Sequence, residues 1–380
     1  MLKTFINCFL KGIVNMSERK LGLIVLSNCK EQGRLVDERI KQLRGEDPSS
    51  ESYIIPIEEV RFSNGEGKIR INDSVRSKDI YILTDVGNYS SCYKMFGMQH
   101  NMGPDEHFQD IKRVISAIGG KANRITLVMP LLYSSRQHKR KGRESLDCAM
   151  ALEELERLGV STIITFDAHD PTIYNSIPNT SFENVYASYS MLKAFITNEG
   201  NSIDKDNMVV ISPDTGAMDR AIYHAGILGV DVGMFYKRRD HTRIVNGKNP
   251  IVQHEYIGGD LNGKKVLIVD DMIASGESII DVIRQTSTKN VSATYVAATF
   301  AFFTEGPEKF DKLYEEGKLT KIYSTNLSYI PESIKKRPWF VEVDLSKFMA
   351  KIINTLNHDD SISPLLDSTQ RIKRLLKKNM

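Results

Sequence analysis

The sequence predicts an α/β protein with parallel sheets flanked by helices, long enough for two domains, and three observations carry that prediction. Apolar, strand-like runs recur along the 380 residues and alternate with helical patterns, the order that builds parallel sheets. The run 266–269 reads as a buried strand that meets adjacent carboxylates, Asp270 and Asp271, then a small-residue turn and a helix start. The length suits two domains of roughly 100–200 residues each. Residues 163–169 and 267–272 both run from apolar strand to acidic end. Two copies of one unit would give this match, and so would chance likeness between short strands.

Residues 1–17 hold one short apolar patch, 5–10, followed by Lys11, and no small-residue cleavage site. They read as a dispensable extension rather than a secretory signal. The fold then starts with a strand at 21–26, and further strands fall at 80–83, 125–129, 162–166, 209–211, 232–236, 266–269 and 295–303. The clearest helix is 145–158, with Leu146, Ala149, Leu152 and Leu155 near one face and Gly159 as its stop. A second helical pattern spans 191–196. Residues 86–109 and 237–259 lack clear periodicity and are expected as loops, the latter long enough to be functional or mobile. The basic, weakly amphipathic stretch 371–380 is expected as a solvated terminus.

The composition, 41% apolar and 26% charged, is that of an ordinary globular protein with a full core. A net charge of +3 and a pI near 8.4 are too mild to imply nucleic acid. No stretch approaches the ~18 consecutive apolar residues that span a membrane. Cys8, Cys29, Cys92 and Cys148 are widely spaced, without CxxC pairs. They read as reduced thiols in a cytoplasmic protein, not a disulfide frame or zinc site.

Chemistry collects at strand ends. The turn Ala274, Ser275, Gly276, Glu277, Ser278 offers backbone amides at a helix N-terminus, which suit a phosphate. Asp270 and Asp271 could accept bonds from sugar hydroxyls. A plain connection capped by Ser275 or Ser278 is the bland alternative. Two adjacent carboxylates nevertheless need a ligand, a metal or basic partners. Asn64-Gly65 alone marks a surface hairpin. The segment 134–143 carries five Arg/Lys in its last eight positions; it is a solvated basic loop or a polyanion contact. Asp167-Ala168-His169-Asp170 could approach a divalent ion, although a strand-end histidine is more often structural. Residues 212–217 repeat the pattern of strand, acid and small-residue turn, and Lys237-Arg238-Arg239 places three cations at another strand end.

Together these pieces resemble the ribose-phosphate pyrophosphokinase family. In family order they are Phe62-Ser63-Asn64-Gly65-Glu66, Asp73-Ser74-Val75-Arg76, Arg136-Gln137, Asp167-Ala168-His169, Ser212-Pro213-Asp214-Thr215-Gly216, Lys237-Arg238-Arg239 and the stretch 269–278. The match runs from about Leu21 to about Asp367. The resemblance implies a phosphoribosyltransferase-type domain over 18–185, with a helix at 345–368 packing back on it. A second such domain spans 186–344 and carries the ribose 5-phosphate loop, before a basic tail, 369–380. It implies Mg2+-dependent transfer of pyrophosphate from ATP to ribose 5-phosphate in a homo-oligomer, dimer to hexamer.

By that resemblance Phe62, Asn64, Gly65, Glu66, Arg136 and Gln137 contact ATP, and His169 and Asp214 hold magnesium. Lys237 and Arg239 are catalytic. Arg239, Asp270, Asp271 and the turn Ala274, Ser275, Gly276, Glu277 and Ser278 take ribose 5-phosphate. Departures are Ala274 in place of an acid, Glu277 beside the phosphate, Ala217 for a glycine, His138 for an acid, and a longer 86–109 region. Two other readings compete: a phosphoribosyltransferase consuming phosphoribosyl pyrophosphate, and a non-catalytic regulatory homologue. The first leaves Arg136-Gln137 and Lys237 to Arg239 without a role; intact Lys237, Arg239, His169 and Asp214 argue against the second, and Ala274 and Glu277 keep it open.

Overall fold

The structure is a computed structural model that describes residues 20–140, 142–200, 203–204, 206–239, 251–367 and 369–379. The expected extension, 1–17, lies outside the described residues. Strands β1 (Leu21–Val25), β4 (Asp79–Leu83), β7 (Arg124–Val128), β8 (Thr162–Phe166) and β9 (Ser181–Val185) form a five-stranded sheet in the order β1-β4-β7-β8-β9. All its pairings are parallel. Two hairpins project from it: β2 (Ile57–Arg61) with β3 (Gly67–Ile71), and β5 (Cys92–Met95) with β6 (Met98–Asn101).

The second sheet has seven strands: β10 (Met208–Ser212), β11 (Asp231–Arg239), β12 (Ile251–Ile257), β13 (Lys265–Ile273), β14 (Ala293–Ala301), β15 (Lys321–Thr325) and β16 (Phe340–Val343). Their order is β12-β11-β10-β13-β14-β15-β16, with only β11/β12 antiparallel. The strand order reverses direction between β10 and β13. Open α/β sheets bind ligands at such a switch point, outside the carboxyl ends of the strands.

The longer helices are α1 (Lys30–Arg44), α2 (Pro104–Ile118), α3 (Asp147–Arg157), α4 (Ser188–Glu199), α5 (Met218–Leu228), α6 (Glu277–Ser287), α7 (Glu308–Glu315), α8 (Ser346–Asn357) and α9 (Thr369–Asn379). Helix α3 buries Cys148, Ala149, Ala151, Leu152 and Leu155, and Gly159, at φ +90°, makes the left-handed stop that its sequence position predicts. Asp344 starts α8 by accepting from the backbone N–H of Ser346 at 2.8 Å. Helix α8 packs on α1, where Arg44 donates to Asn354 (2.8 Å) and Asn357 (2.7 Å). One apolar cluster runs from Leu23 and Tyr81 through Phe166 to Val210, Leu267 and Ile353, so the sheets share a core.

Four expectations are corrected. The region 86–109 is not a loop; it holds the β5–β6 hairpin and the start of α2, where Pro104 fits N1 and Glu106 accepts from the N–H of Gly103 (2.9 Å). The stretch 237–259 is not a plain loop. Strand β11 continues through Arg239 and pairs with β12, with residues 240–250 outside the described residues. The tail is not a solvated terminus, and 345–368 is not one helix. Helix α8 ends at Asn357, and beyond a connection that includes the short helix Ser363–Leu366, α9 packs on α4 and α5. Ile372 is fully buried there, and Arg371 lies 4.5 Å from the centroid of the Tyr189 ring. Ile372, Leu375 and Leu376 recur at helical spacing, which explains the docking.

Asp85, just past β4, ties the two sheets together. It accepts from Ser328 Oγ (2.9 and 3.0 Å), from the N–H of Tyr329 (2.8 Å) and from that of Gly87 (2.9 Å). Burial pushes its pKa up to about 6, against the pull of those donors. The folded value lies above the unfolded one of about 3.9, so the stability this group contributes is full below about pH 4 and is lost as pH rises through about 6. Asp85→Asn is expected to abolish that pH dependence and to destabilise the protein at pH 4, because its NH2 must face the N–H of Gly87 or Tyr329, which now donates to a carboxylate oxygen. Denaturation free energies of the two proteins between pH 4 and 7.5 check this; a constant difference across the range would refute it.

Candidate active site

Residues Val266, Leu267, Ile268 and Val269 of β13 are buried between helices on both faces, as the apolar run predicts. The strand does not end at Asp270: it continues to Ile273, paired with Ala301 of β14. Asp270 and Asp271 therefore belong to the strand itself, and the ligand turn is shorter than expected. The turn is held from outside by bonds from the N–H of Phe302 to Ile273 O (2.8 Å) and of Thr304 to Ala274 O (2.9 Å). Gly276 caps α6 at φ +80°, and a Cβ there would come within 2.6 Å of the Phe310 ring. Both the left-handed backbone and the close approach demand glycine.

A cleft of about 180 Å³ opens at the switch point. Asp214, Gly216 and Ala217 enter it after β10; Asp270, Asp271, Ala274, Ser275, Gly276, Glu277 and Ser278 enter from β13 and α6. The first sheet contributes Arg136 and His169. Glu277 lines the cleft and is exposed to solvent, where water screens its charge from an anion in the turn.

The two adjacent carboxylates have the basic partners that their position requires. His169 Nδ1 lies 2.8 Å from Asp271 Oδ2, a contact between the two sheets. The partner not foreseen is Arg220 in α5, which also lines the cleft. Its Nε sits 3.5 Å from Asp167 Oδ1, and its side chain is only 16% exposed. Asp167, at φ +44°, also accepts from Thr299 Oγ1 across the sheets. Burial opposes ionisation of Asp271, but the bond from His169 and the charge of Arg220 outweigh it and hold its pKa below the ordinary range. Burial and then the neighbouring Asp271 charge push Asp270 well above that range. The bond to Asp271 raises His169 despite burial.

The remaining candidates lie elsewhere. Gln137 donates to the Ser145 carbonyl (2.8 Å) and does not line the cleft. Phe62, Asn64, Gly65 and Glu66 form the β2–β3 turn, as Asn64-Gly65 predicts, and also stand apart from the cleft. The side chains of Lys237 and Arg239 lie outside the described residues; their backbone runs in the part of β11 that pairs with β12. Asp170 is committed locally, to the N–H of Thr172 (3.0 Å) and to His138 Nε2 (3.2 Å). Beyond His169 and Arg220 a second cavity, about 390 Å³, is walled by Tyr186, Tyr189, Tyr223 and Phe348.

Among the described residues, no group of three or more His, Cys, Asp or Glu side chains forms a metal cage. Mg2+ needs no such cage, since it is commonly held by one or two carboxylates, waters and substrate phosphates. Asp214 Oδ1 accepts from the N–H of Gly216 at 2.9 Å, leaving Oδ2 for such a role.

A carboxylate pair inside the last, turn-ward stretch of a buried strand, an amide-lined turn and a helix, set at a switch point, define a phosphoribosyltransferase-type protein. Residues 181–326 match the phosphoribosyl transferase domain, and residues 22–159 match the N-terminal domain of ribose phosphate pyrophosphokinase. The chain belongs to the ribose-phosphate pyrophosphokinase family. It is 26% identical over 315 residues to ribose-phosphate pyrophosphokinase A of Dictyostelium discoideum, covering 82% of this chain and 89% of that one. It is 26% identical over 310 residues to ribose-phosphate pyrophosphokinase of Mycoplasma pneumoniae, covering 80% and 85%. Its fold is similar to that of phosphoribosylpyrophosphate synthetase from Mycobacterium smegmatis, with a TM-score of 0.72, 22% identity, and coverage of 89% and 99%.

Proposed function

We propose that this chain transfers the pyrophosphoryl group of ATP to the anomeric hydroxyl of ribose 5-phosphate, giving phosphoribosyl pyrophosphate and AMP. The observation that carries the reading is the cleft, where the amide-lined turn meets carboxylates braced by His169 and Arg220. Amides of Ala274 to Ser278 receive the 5-phosphate at the start of α6. Asp270 and Asp271 accept from the ribose hydroxyls and fix the sugar. Arg136 binds the donor's phosphates from the facing sheet, and the 62–66 turn supplies the nucleotide contact. Such a transfer requires alignment and charge stabilisation more than covalent help.

Mg2+, held by His169, Asp214 and phosphate oxygens, would supply charge neutralisation. Lys237 and Arg239, carried on the β11–β12 arm, stabilise charge developing on the transferred group. The working protein is a cytoplasmic homo-oligomer. Among the described residues no helix is long and apolar enough to cross a membrane.

The test is AMP formation from ATP, Mg2+ and ribose 5-phosphate. AMP is expected only with all three present, and Lys237→Ala is expected to lower the rate on the order of a hundredfold. No AMP from the unaltered chain, or full activity in the variant, would reject the assignment. A chain that makes no AMP but changes the rate of an active relative would be a regulatory homologue. Pyrophosphate release from phosphoribosyl pyrophosphate and a nucleobase would mark a phosphoribosyltransferase instead.

A further inference from the structure

We propose that the β5–β6 hairpin is a positioning element that holds the 62–66 turn in its nucleotide-binding form; this rests on the reading of that turn as an ATP contact. Strand β5 ends at Met95 and β6 begins at Met98, so Phe96 and Gly97 make a two-residue hairpin turn, with φ +49° and +81°. Such turns favour Asn or Gly, and a bulky residue with positive φ is an outlier. The Phe96 ring is 74% exposed and Met98 is 69% exposed, so burial does not compensate for that backbone.

The arrangement delivers an amide instead. The N–H of Phe96 donates to the carbonyl of Ser63, inside the 62–66 turn, at 2.8 Å. Met95 closes on the same turn, since a Cβ on Gly65, at φ +93°, would come within 2.7 Å of its Sδ. Two-stranded hairpins are marginal alone, and this one is anchored to α2. Tyr93 donates to Glu106 Oε1 at 2.7 Å, and His100 Nε2 lies 3.2 Å from Glu106 Oε2. Arg61, at the end of β2, stands over the Tyr93 ring and pairs with Asp110 of α2. Helix α2, the hairpin and the turn thus form one continuous brace. A recognition loop ordered before its ligand arrives loses less conformational freedom on binding. The brace therefore acts on ATP affinity and not on the sugar cleft, whose walls it does not touch.

Steady-state kinetics of the full chain test this with four variants. Phe96→Pro removes the donor and forbids the left-handed backbone, whereas Phe96→Asn keeps both. A third protein replaces residues 92–101 by two glycines; the N–H of Met102 bonds Ser91 O at 2.8 Å, so the cut ends are already adjacent. Phe62→Ala serves as the control for the turn itself. Phe96→Pro and the excised protein are expected to raise KM for ATP roughly five- to tenfold, the effect of losing about one net hydrogen bond. KM for ribose 5-phosphate, kcat and the melting temperature should stay near wild type, and Phe96→Asn should behave as the parent.

An unchanged KM for ATP in the excised protein, with Phe62→Ala impaired, overturns the brace alone. Equal impairment of Phe96→Asn and Phe96→Pro, or an equal rise in KM for both substrates, overturns it as well. Phe62→Ala with wild-type KM for ATP overturns the reading of the turn and the proposal with it.

Discussion

Arg220→Ala is expected to lower kcat/KM for ribose 5-phosphate about a thousandfold, corresponding to roughly 4 kcal/mol. Three carboxylates, Asp167, Asp270 and Asp271, lie around this one guanidinium, and the charges of all three support its ionised form against the opposing effect of burial. Without it, His169 is the basic group still bonded to the pair among the described residues. Burial already keeps Asp270 reluctant to ionise, and Asp271 would lose the charge that, after the bond from His169, does most to keep it ionised. A carboxylate that takes up a proton loses acceptor capacity for a sugar hydroxyl. Unpaired buried charge also carries a penalty of roughly 3–5 kcal/mol. Arg220→Lys keeps a point charge but not the planar fork, so an intermediate loss is expected. Rates measured against ribose 5-phosphate at saturating ATP, with unfolding curves for each variant, separate catalysis from stability. A wild-type kcat/KM in Arg220→Ala would remove Arg220 from the site.

Strand-end acids and small-residue turns were the readable part of this site, because a turn at a switch point must be built from contiguous residues. Asp214, His169, Asp270 and the turn at 274–278 were located from sequence, and all line one cleft. Arg220 escaped because it acts from within α5, where an arginine reads as a solvated helix residue. A cation following the acidic turn at 214–217, six residues after Asp214, was the available signal. The strand ends misled for a related reason. Charged Asp270 and Asp271 look like the edge of a strand, yet tertiary partners let β13 carry them inside the sheet.

The fold outside the site follows the same division. The buried runs of β1, β4 and β10 are legible because both faces are covered by helices, which makes them continuously apolar. The β5–β6 hairpin was not legible: its residues alternate between half-buried and exposed, and its turn places Phe where Asn is favoured. Helix α9 was mistaken for a solvated end because its lysines and arginines outnumber the three apolar residues that dock it.

The largest effect on stability is expected from Arg124→Ala, at about 3–5 kcal/mol. Asp79 is fully buried at the start of β4, and Arg124, at the start of β7, grips both its oxygens at 2.8 and 2.6 Å. The same guanidinium reaches Leu356 O and Asp359, each at 2.8 Å, while Asn357 donates to Asp79 Oδ2 at 2.9 Å. One ion pair thus fastens the last turn of α8 to the first sheet, across 232 residues of chain. Removing Arg124 alone leaves a carboxylate inside the protein with one amide for a partner, and that uncompensated charge is the main cost. The double variant D79N/R124L buries no charge and should recover most of the loss, because a buried pair adds little over neutral groups of similar size. Denaturant titration of D79N, R124L and the double variant gives the interaction energy directly. Simple additivity of the two single losses would show that the pair does not hold the closing helix in place.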